Sequence, residues 1–431
     1  MKRLIFQQLL DWKNNPNRKP LIIQGARQVG KTWLMKEFGR QHYQKTAYIS
    51  FTDSPEAAQI FDGNYDLDRI LLHLKIFSNT EIQADDTLIV LDEIQECERA
   101  LNSLKFFNEN AKNYHIIAAG SLLGVAVRKK QYSFPVGQVD FLNLYPLNFK
   151  EFLTAIGEEK LSHLLLHKDW QSIKIFHQKY INLLKQYMFI GGMPEAVQSF
   201  VDFQDFNKVR SIQNNILIGY REDFSKYTEA KNIPKIMAVW NSLPAQLSKE
   251  NKKFTYQQIQ KGARAREYEN AIEWLVLTGL VHKINRISKP NLPLLSYQDN
   301  NFKLYLLDTG LLSALSMLDA QTIINGDKIF SEFKGALTEQ FVLQELKNNP
   351  YMPITYWAAE NAMAEVDFVI QYKQQVIPIE VKSALNLRAK SLASYRSKYQ
   401  PEIAIRSSLA NFEINQDLHN IPLYAIGDIC N

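Results

Sequence analysis

Hydrophobic residues in the first third of the chain fall into short runs separated by amphipathic or polar stretches. Four runs are almost wholly apolar or β-branched, as in strands buried within a parallel sheet, and they lie at residues 21–24, 46–51, 87–91 and 114–120. The segment WLMKEF after the first run begins a helix, and residues 1–15 have the spacing of an amphipathic helix. This alternation predicts a doubly wound α/β domain over residues 1–155.

The pattern changes in the middle of the chain. Residues from about 150 to 235 are predicted to be helical, because apolar residues recur every three or four positions, as in HQKYINLLKQYMF. Gly191 and Gly192 permit a tight turn, and Pro194 suits the first turn of the next helix. We therefore assign residues 156–234 to a helical segment.

Residues 235–315 form a third segment. FTYQQIQKGARAREYENAIEWLVLTGLVHKI predicts a helix, a turn, a second helix and a strand, and FKLYLLD predicts a further strand after a proline-rich loop. This order fits a winged helix, which binds DNA in some proteins and packs between domains in others. Six Lys and Arg residues against one Glu within residues 249–266 make DNA contact one hypothesis for this segment.

The remaining residues, 316–431, are predicted to form a separate α/β domain. SEFKGALTEQFVLQEL indicates a helix with apolar residues on one face, and ITYWAA, EVDFVI and VIPIEVKS indicate strands, the last two joined by the turn QYKQQ. RAKSLASYRSKY indicates a final helix. Five Lys and Arg residues and no acid lie between Val381 and Gln400, a pattern that suits either a phosphate backbone or solvent.

Composition narrows the class of protein. A chain of 431 residues suggests about two to four domains, and 46% hydrophobic with 22% charged residues indicates packed cores. The formal charge of +5 permits an anionic partner but does not argue for one. With only Cys97 and Cys430, and no apolar run of the ~18 residues that a membrane span needs, we expect a cytoplasmic protein without disulfides, membrane segment or signal peptide.

The strongest motif in the chain is GARQVGKT at residues 25–32, which matches G-x-x-x-x-G-K-S/T between a strand and a helix. Backbone amides in such a loop bind the phosphates of a nucleotide, and the helix N-terminus adds positive potential. We expect ATP to be bound by the whole loop, which consists of Gly25, Ala26, Arg27, Gln28, Val29, Gly30, Lys31 and Thr32. Lys31 would reach the β- and γ-phosphates, and the Thr32 hydroxyl would bind Mg²⁺.

An acidic pair follows the buried strand at residues 87–91. Asp92 and Glu93 lie at the carboxyl end of this strand, where ligands collect in open α/β sheets. Asp92 is predicted to hold the Mg²⁺ shell, and Glu93 to polarise the attacking water as a general base. Ser121 follows the next strand and either senses the γ-phosphate or caps a helix. With Lys31, these residues predict an Mg-dependent ATPase.

A second set of charged residues lies in the C-terminal segment. Residues two apart on a strand share a face, so Glu380 and Lys382 point the same way, and a short hairpin would bring Asp367 beside them. Two carboxylates there would bind Mg²⁺, which would activate water against a phosphodiester. Lys382 would orient that water or neutralise charge on the scissile phosphate. Glu339, on the preceding helix, would supply a further acid. An ordinary solvated hairpin, or a retained but silent site, is the alternative.

Taken together, the motifs resemble a prokaryotic family of AAA-type P-loop ATPases that carry a C-terminal domain of unknown function. The matching stretches run almost end to end: GARQVGKT, LIVLDEIQ, AAGSLLGVA, SFPVGQVDFLNLYPLNFKEFL, GGMPEAV, FKLYLLDTGLL and EVDFVI…IPIEVKS. The resemblance implies an α/β protein with a P-loop AAA+ core, a helical lid, a winged-helix domain and a C-terminal domain similar to the PD-(D/E)xK restriction-endonuclease fold. One departure is Gln138, where the family usually has a basic residue.

Three functions remain open from the sequence. In the first, ATP turnover controls a C-terminal domain that acts on DNA, as a nuclease or otherwise. In the second, an ATP-driven switch or adaptor carries a silent C-terminal domain that binds a protein or nucleic-acid partner. In the third, the protein is a chaperone-like ring ATPase, a possible homo-oligomer in which arginines complete the ATP site. Separately, arginines in helical lids of the kind the resemblance implies often complete ATP sites. Arg128 and Arg221 are candidates for that role, with solvated surface arginines as the alternative.

Overall fold

The structure is a computed structural model that describes residues 1–121, 123–128, 134–249, 251–321, 334–349, 351–359, 364–383 and 389–429. The chain divides into two compact units. We call the first the N-terminal unit, Arg3–Tyr145 with Leu277–Gly279, and the second the C-terminal unit, Met1–Lys2, Pro146–Val276 and Leu280–Asn431. Across the part of the chain that is described, no helix is long and apolar enough to cross a membrane.

The N-terminal unit is built on a parallel sheet. Its helices are α1 Phe6–Asn14, α2 Lys31–His42, α3 Leu67–Ser78, α4 Glu98–Asn110 and α5 Leu123–Arg128. Its strands are β1 Leu21–Gln24, β2 Lys45–Ser50, β3 Thr87–Asp92, β4 His115–Gly120 and β5 Asp140–Asn143, in the order β2-β3-β4-β1-β5. All neighbouring pairs are parallel. Because β4 lies between β1 and β3, the carboxyl ends of these three strands are adjacent.

The strands that the hydrophobic pattern predicted are those whose residues are largely buried. Every residue of β3 and β4 is buried, and the apolar runs at these strands were predicted as such. Ile89 and Leu91 of β3 pack into one core with Leu74 of α3 and Leu104 of α4. The four predicted strands are confirmed, whereas β5 was missed because only one of its four residues is buried.

The C-terminal unit combines many helices with one mixed sheet. Its helices are α6 Phe149–Ala155, α7 Glu159–Leu166, α8 Trp170–Ile175, α9 His177–Ile190, α10 Pro194–Phe203, α11 Phe206–Tyr227, α12 Ile233–Leu247, α13 Ala265–Leu277, α14 Thr309–Leu315, α15 Lys334–Leu346 and α16 Lys390–Tyr399. Its strands are β6 Val281–Ile287, β7 Gln298–Leu306, β8 Ile354–Ala358, β9 Glu365–Tyr372, β10 Gln375–Val381, β11 Ala404–Ser408, β12 Glu413–Asn415 and β13 Leu418–Pro422.

The eight strands of this unit form a single sheet in the order β12-β13-β11-β10-β9-β8-β6-β7. The hairpin β6–β7 corresponds to the two strands expected for a wing, and β6 also pairs in parallel with β8 at Arg286–Tyr356 and Ile287–Trp357. The sheet therefore continues across residue 315, where the sequence suggested a domain boundary. β9 and β10 form the predicted hairpin.

Two predicted helices differ from those observed. The helix expected near residues 254–261 is only a short 3₁₀ turn, Tyr256–Gln258, and the helix before the turn is instead α12. The helix α15 was expected to have one apolar face, but it is buried on all sides from Ala336 to Leu346. Its polar side chains are accommodated because they bind backbone groups: Gln340 accepts from the amide of Leu306 at 2.9 Å and donates to the Leu306 carbonyl at 2.6 Å.

Several of the stretches that carry the family resemblance meet at one buried polar junction in the C-terminal unit. Asp308 accepts hydrogen bonds from the amide of Gly192 at 2.6 Å and from the amide of Leu311 at 3.0 Å. Gln344 of α15 donates to the same carboxylate at 3.1 Å, and the Leu147 amide donates to the Gly192 carbonyl at 2.7 Å. These stretches therefore hold the fold together at this point, because each satisfies buried backbone groups of another.

Candidate functional sites

The loop at residues 25–32 connects β1 to α2 and is closely packed. Gly25 has φ +152°, and a Cβ placed there would lie 2.3 Å from the carbonyl oxygen of Leu144, so only glycine fits. Gly30 has φ +95° and precedes the first residue of α2, Lys31. The loop therefore leads directly into the N-terminus of a 12-residue helix, where backbone amides lack intrahelical partners and favour an anion.

Lys31 is almost fully buried within this loop. Its amine donates to the carbonyl oxygens of Gly25 at 2.9 Å and Ala26 at 2.8 Å. Burial lowers the pKa of Lys31 to about 8, while the nearby carboxylates of Glu93 and Asp92 partly oppose that shift. A buried ammonium group whose hydrogen-bond partners are neutral carbonyls is electrostatically suited to a phosphate.

Asp92 and Thr32, predicted as the Mg²⁺ ligands, lie in direct contact. The Thr32 hydroxyl donates to Oδ2 of Asp92 at 2.6 Å, and the amide of Glu93 donates to Oδ1 at 3.0 Å. Tyr48 of β2 also donates to Oδ2, at 2.9 Å. The sequence analysis missed Tyr48, because no motif marks it and only the pairing of β2 with β3 brings it to Asp92. A hydroxyl and a carboxylate together are oxygen ligands of the kind Mg²⁺ prefers.

Glu93 and Ser121 also lie together, at the ends of β3 and β4. Oε2 of Glu93 accepts from the Ser121 hydroxyl at 3.1 Å and from Gln95 at 2.7 Å, while Arg27 Nε donates to Ser121 Oγ at 3.3 Å. Glu93 has φ +52°, an uncommon conformation for a residue other than glycine. Gln95 was missed, although it lies only two positions beyond Glu93. The structure thus joins Thr32 and Asp92 to Glu93, Ser121 and Arg27 in one hydrogen-bonded network.

The residues of the C-terminal site also lie near one another. The register of the β9–β10 hairpin pairs Phe368 with Ile379, so Asp367 and Glu380 take the next facing positions. The amide of Val381 donates to Oδ2 of Asp367 at 2.8 Å. Lys382, which follows β10, forms an ion pair with Glu380 at 2.7 Å between Nζ and Oε1. The predicted role of Lys382, which is to orient water or to neutralise charge on a scissile phosphate, stays a prediction.

Glu339 of α15 is surrounded by partners that the sequence analysis did not find. Its Oε1 accepts from Lys252 Nζ at 2.6 Å, its Oε2 accepts from the Tyr305 hydroxyl at 2.9 Å, and Lys303 Nζ lies 3.9 Å from Oε2. Lys303 also pairs with Glu365 at 2.5 Å. Lys303 lies within the apolar stretch FKLYLLD, and a lysine in such a stretch could have indicated a buried ion pair. No pattern in the sequence marks Lys252.

We call Glu339, Glu365, Asp367 and Glu380 the carboxylate cluster. Burial and repulsion from Glu339 and Glu380 raise the pKa of Asp367 well above its usual range. Burial opposes ionisation of Glu339, but Lys252 and Lys303 outweigh it and lower the pKa of that group. Among the described residues, no three His, Cys, Asp or Glu side chains are arranged to hold a metal ion. A metal at Asp367 and Glu380 therefore stays a prediction.

The basic residues expected to contact DNA are distributed unevenly. Of the six Lys and Arg residues within 249–266, Lys252 is buried, and Lys249 donates to Gln258 at 2.6 Å. The side of α13 that faces solvent carries more acids than bases, because Glu267, Glu269 and Glu273 are exposed beside Arg266. This side of α13 is less suited to a phosphate backbone than the sequence suggested.

The other residues singled out in the sequence lie in different environments. Arg221 is exposed on α11 of the C-terminal unit, and the side chain of Arg128 lies outside the described residues, as does Cys430. Cys97 is a buried free thiol. Gln138 accepts a hydrogen bond from Asn108 at 2.5 Å. In α16, Arg396 pairs with Asp417, which removes one of the basic residues counted for that helix.

Comparisons with known proteins agree with the N-terminal geometry. Residues 17–153 match the model of the AAA domain, and residues 181–322 and 334–426 match two domains of unknown function, DUF8612 and DUF4143. No curated protein matches the chain. Together, the AAA match over residues 17–153 and the network around Lys31, Asp92 and Glu93 support an AAA-type P-loop core in this part of the chain.

Two solved structures are similar to the chain at a distance. The Walker-type ATPase PABY2304 of Pyrococcus abyssi is 14% identical, with 72% of this chain and 94% of that chain covered and a TM-score of 0.43. The ORC2 protein of Aeropyrum pernix, in ADPNP–ADP complexes, is 14% identical, with 75% and 91% covered and a TM-score of 0.36. Both similarities are too distant to say anything about function.

Proposed function

We propose that the N-terminal unit binds Mg–ATP and hydrolyses it, and that turnover switches the affinity of the C-terminal unit for a partner. The observation that carries the first part is the contact of Thr32 with Asp92 at 2.6 Å beside a buried Lys31. The amides of the loop and Lys31 would hold the phosphates. Thr32 and Asp92 would hold Mg²⁺, which supplies charge neutralisation to the phosphates when it is bound.

Glu93 is the base in this proposal, and Ser121 and Gln95 position it. A carboxylate that accepts hydrogen bonds from both side chains is fixed in orientation, and it can take a proton from water only along its remaining lone pairs. Arg27 links Ser121 to the nucleotide loop, so a phosphate in the loop would act on the same network. Ser121 is therefore the residue through which nucleotide binding would reach the base.

The experiment that tests nucleotide binding uses Lys31→Ala. We expect this variant to lose ATP affinity by at least about 100-fold, because charge-assisted contacts to phosphate are lost in a buried site. The matched control is Lys45→Ala, which removes an exposed lysine at the start of β2. Titration with a fluorescent ATP analogue gives both affinities. Unchanged affinity in Lys31→Ala would refute the nucleotide site.

For the C-terminal unit, we propose partner binding without cleavage in the conformation described. The supporting observation is that Glu339, Glu365 and Glu380 each form an ion pair with a lysine, so their charge is already compensated. Nucleic acid is the first partner to test, because three basic residues between α12 and α13 are exposed: Lys253, Lys261 and Arg264. The DNA-cleaving function is the second candidate, and it requires these ion pairs to open.

A metal-dependence assay separates the two candidates. Plasmid and single-stranded DNA are incubated with wild type and Glu380→Ala, with and without ATP, in Mg²⁺. We expect retention of DNA in a filter assay without new ends, and no difference between the two proteins. Cleavage that needs Mg²⁺ and disappears in Glu380→Ala would establish the nuclease and refute the silent domain.

A further inference from the structure

We propose that a cavity between α11 and the end of α14 binds a small monoanion with an apolar body, a straight-chain carboxylate, whose charged group is held by Arg210. We call this cavity the α11–α14 pocket. Its lining residues belong to the C-terminal unit and lie outside the carboxylate cluster. The inference goes beyond the proposed function, because it concerns neither the nucleotide nor the nucleic-acid partner.

The α11–α14 pocket has a volume of about 620 Å³, which is within the range of cavities that bind small molecules. One side is a single face of α11, because Arg210, Asn214, Leu217 and Arg221 follow one another at helical spacings of three or four residues. The other side consists of residues 314–315 and 317–320, at and after the end of α14. A ligand in the pocket would therefore contact two separate segments of the chain.

The inner surface of the pocket is apolar. Phe189, Leu217 and Ala314 line it and are buried, while Ile218 and Met317 line it and are exposed. An apolar ligand would cover these exposed side chains and leave water itself, which is favourable. Met317 is 92% exposed and has a flexible side chain, so it can shift to admit a ligand at little cost.

Arg210 places a guanidinium group in this apolar surface. Its Nη2 donates to Ser313 Oγ at 2.9 Å and to the Leu318 carbonyl at 2.6 Å, and its Cζ lies 4.3 Å from the centre of the Phe189 ring. Its Nη1 is buried and has no hydrogen-bond partner among the described residues. A buried donor without an acceptor is costly, so a ligand oxygen that reached Nη1 after a small shift of side chains would remove that cost.

The charges that line the pocket favour a monoanion. Arg210 and Arg221 line it together with Asp319, so these three side chains leave one net positive charge. Burial lowers the pKa of Arg210 to about 10 while Asp319 opposes the shift, and the guanidinium group therefore stays charged at neutral pH. Since Nη2 already has two neutral acceptors, a single carboxylate oxygen at Nη1 completes this end of the side chain. A phosphate dianion would bring more charge than the pocket compensates.

The length of α11 suggests the probe. From Arg210 to Ile218, the helix rises about 12 Å at 1.5 Å per residue. A straight chain with its carboxylate at Arg210 would therefore extend past Leu217 toward Ile218, and decanoate is suited to this span. Decanol has the same apolar chain without the charge, so the difference between the two affinities reports the contact with the guanidinium group.

The direct test measures decanoate and decanol binding by titration calorimetry on the full chain without nucleotide. The proteins are wild type, Arg210→Gln and Lys208→Gln, which removes an exposed cation of the same helix outside the pocket lining. We expect wild type and Lys208→Gln to bind decanoate at least about tenfold more tightly than decanol, and Arg210→Gln to bind the two equally, because the charge-assisted hydrogen bond is lost. Equal affinity of wild type for decanoate and decanol overturns the proposal.

Two neighbouring asparagines keep the proposal testable if Arg210→Gln fails to fold. Asn214 and Asn215 are both exposed on α11, but only Asn214 is among the residues that line the pocket. Asn214→Asp adds a negative charge one turn from Arg210, so it should weaken decanoate binding at least about threefold and leave decanol binding unchanged. Asn215→Asp should change neither. Equal decanoate affinity in the two variants contradicts the inference, and ATP binding measured on the same preparations shows separately whether the nucleotide site works.

Discussion

The N-terminal site and the carboxylate cluster both contain buried acids, but the hydrogen-bond partners of these acids differ in charge. Asp92 ends a buried strand and accepts hydrogen bonds from two neutral hydroxyls, those of Thr32 and Tyr48. Glu339 lies on a buried helix and accepts from an ammonium group, that of Lys252. Neutral donors leave the negative charge of Asp92 available to a metal ion, whereas lysines compensate that of Glu339. The partner of an acid, more than its burial, therefore distinguishes a ligand site from a structural one.

Two buried lysines, Lys31 and Lys303, differ in the same way, because one lacks a full countercharge and the other has one. Among the described residues, the hydrogen-bond acceptors of Lys31 are two carbonyl oxygens, and burial lowers its pKa to about 8 although Glu93 and Asp92 oppose the shift. Burial also disfavours the charged form of Lys303, but Glu365, Glu339 and Asp367 outweigh it and raise the pKa of that lysine. Lys31 is therefore a cation without a full countercharge, suited to phosphate, while Lys303 already has its countercharge within the fold.

The largest expected effect is on the turnover of the N-terminal site. Glu93→Gln should lower ATP hydrolysis by at least about 100-fold and leave ATP binding intact, because the amide keeps the shape of the side chain but cannot take a proton. Glu56→Gln, an exposed acid of the same unit, is the control. Phosphate release in single turnover gives the rate. A Glu93→Gln rate within twofold of wild type would remove Glu93 from the role of base.

The next effect is on the stability of the C-terminal unit. Lys303→Met should lower its free energy of unfolding by about 3–5 kcal/mol, because Glu365 and Glu339 would stay buried with less compensation. Lys283→Met, on the paired strand β6, changes an exposed lysine and should cost far less. Urea unfolding followed by fluorescence measures both, and ATP affinity should be unchanged. If Lys303→Met is as stable as Lys283→Met, the lysine does not compensate the cluster.

A carboxylate on the same helix as Glu339 provides a smaller, pH-dependent effect. Glu345 accepts from the amide of Phe149 at 2.8 Å, and burial raises its pKa to about 8, with Asp428 and Glu151 adding repulsion and Lys150 opposing it. The folded state thus holds a proton that the unfolded chain releases near pH 4.5, so stability is full below that pH and falls as pH rises toward 8.

Glu345→Gln isolates this contribution. In wild type, the free energy of unfolding should fall between pH 5 and pH 8, and in Glu345→Gln the share of this fall that comes from Glu345 should be absent. That share is about 1.4 kcal/mol for every tenfold difference in proton affinity between the folded and unfolded states. Urea midpoints at several pH values measure it, with Glu339→Gln as the comparison, since lysines lower the pKa of Glu339. If the free energies of unfolding of wild type and Glu345→Gln change in parallel with pH, Glu345 is ionised in the folded state.

The smallest effect concerns Tyr48. Tyr48→Phe removes one hydrogen bond to Asp92, worth about 1 kcal/mol, and should raise the Mg²⁺ concentration for half-maximal hydrolysis roughly fivefold. The exposed aromatic change Tyr351→Phe serves as control. Assays over a range of Mg²⁺ concentrations decide whether neutral donors orient Asp92. No change in Tyr48→Phe would mean that the Thr32 hydroxyl and the Glu93 amide suffice to orient Asp92.

The N-terminal site was predictable because its parts are local. Three signals were local: the spacing of GARQVGKT, the acidic pair directly after an apolar run, and the serine directly after another. Each signal places residues at the carboxyl end of a strand, and the order of the strands in the sheet makes these ends neighbours. Tyr48 escaped notice because its role depends on strand pairing. In the C-terminal unit, the hairpin that carries Asp367 and Glu380 was predicted, but α15 was assigned a polar face that is in fact buried.

By itself, the sequence determined the strands of the parallel sheet, the phosphate-binding loop and the candidate acids, because these follow from hydrophobic periodicity and from residues close together in the chain. Only the tertiary structure decided which charges meet. Lys252, Lys303 and Glu339 come from three separate segments, and their contacts arise from packing of α15 against β7 and the loop after α12. Electrostatic compensation depends on distance in space, and no periodicity along a chain encodes that distance.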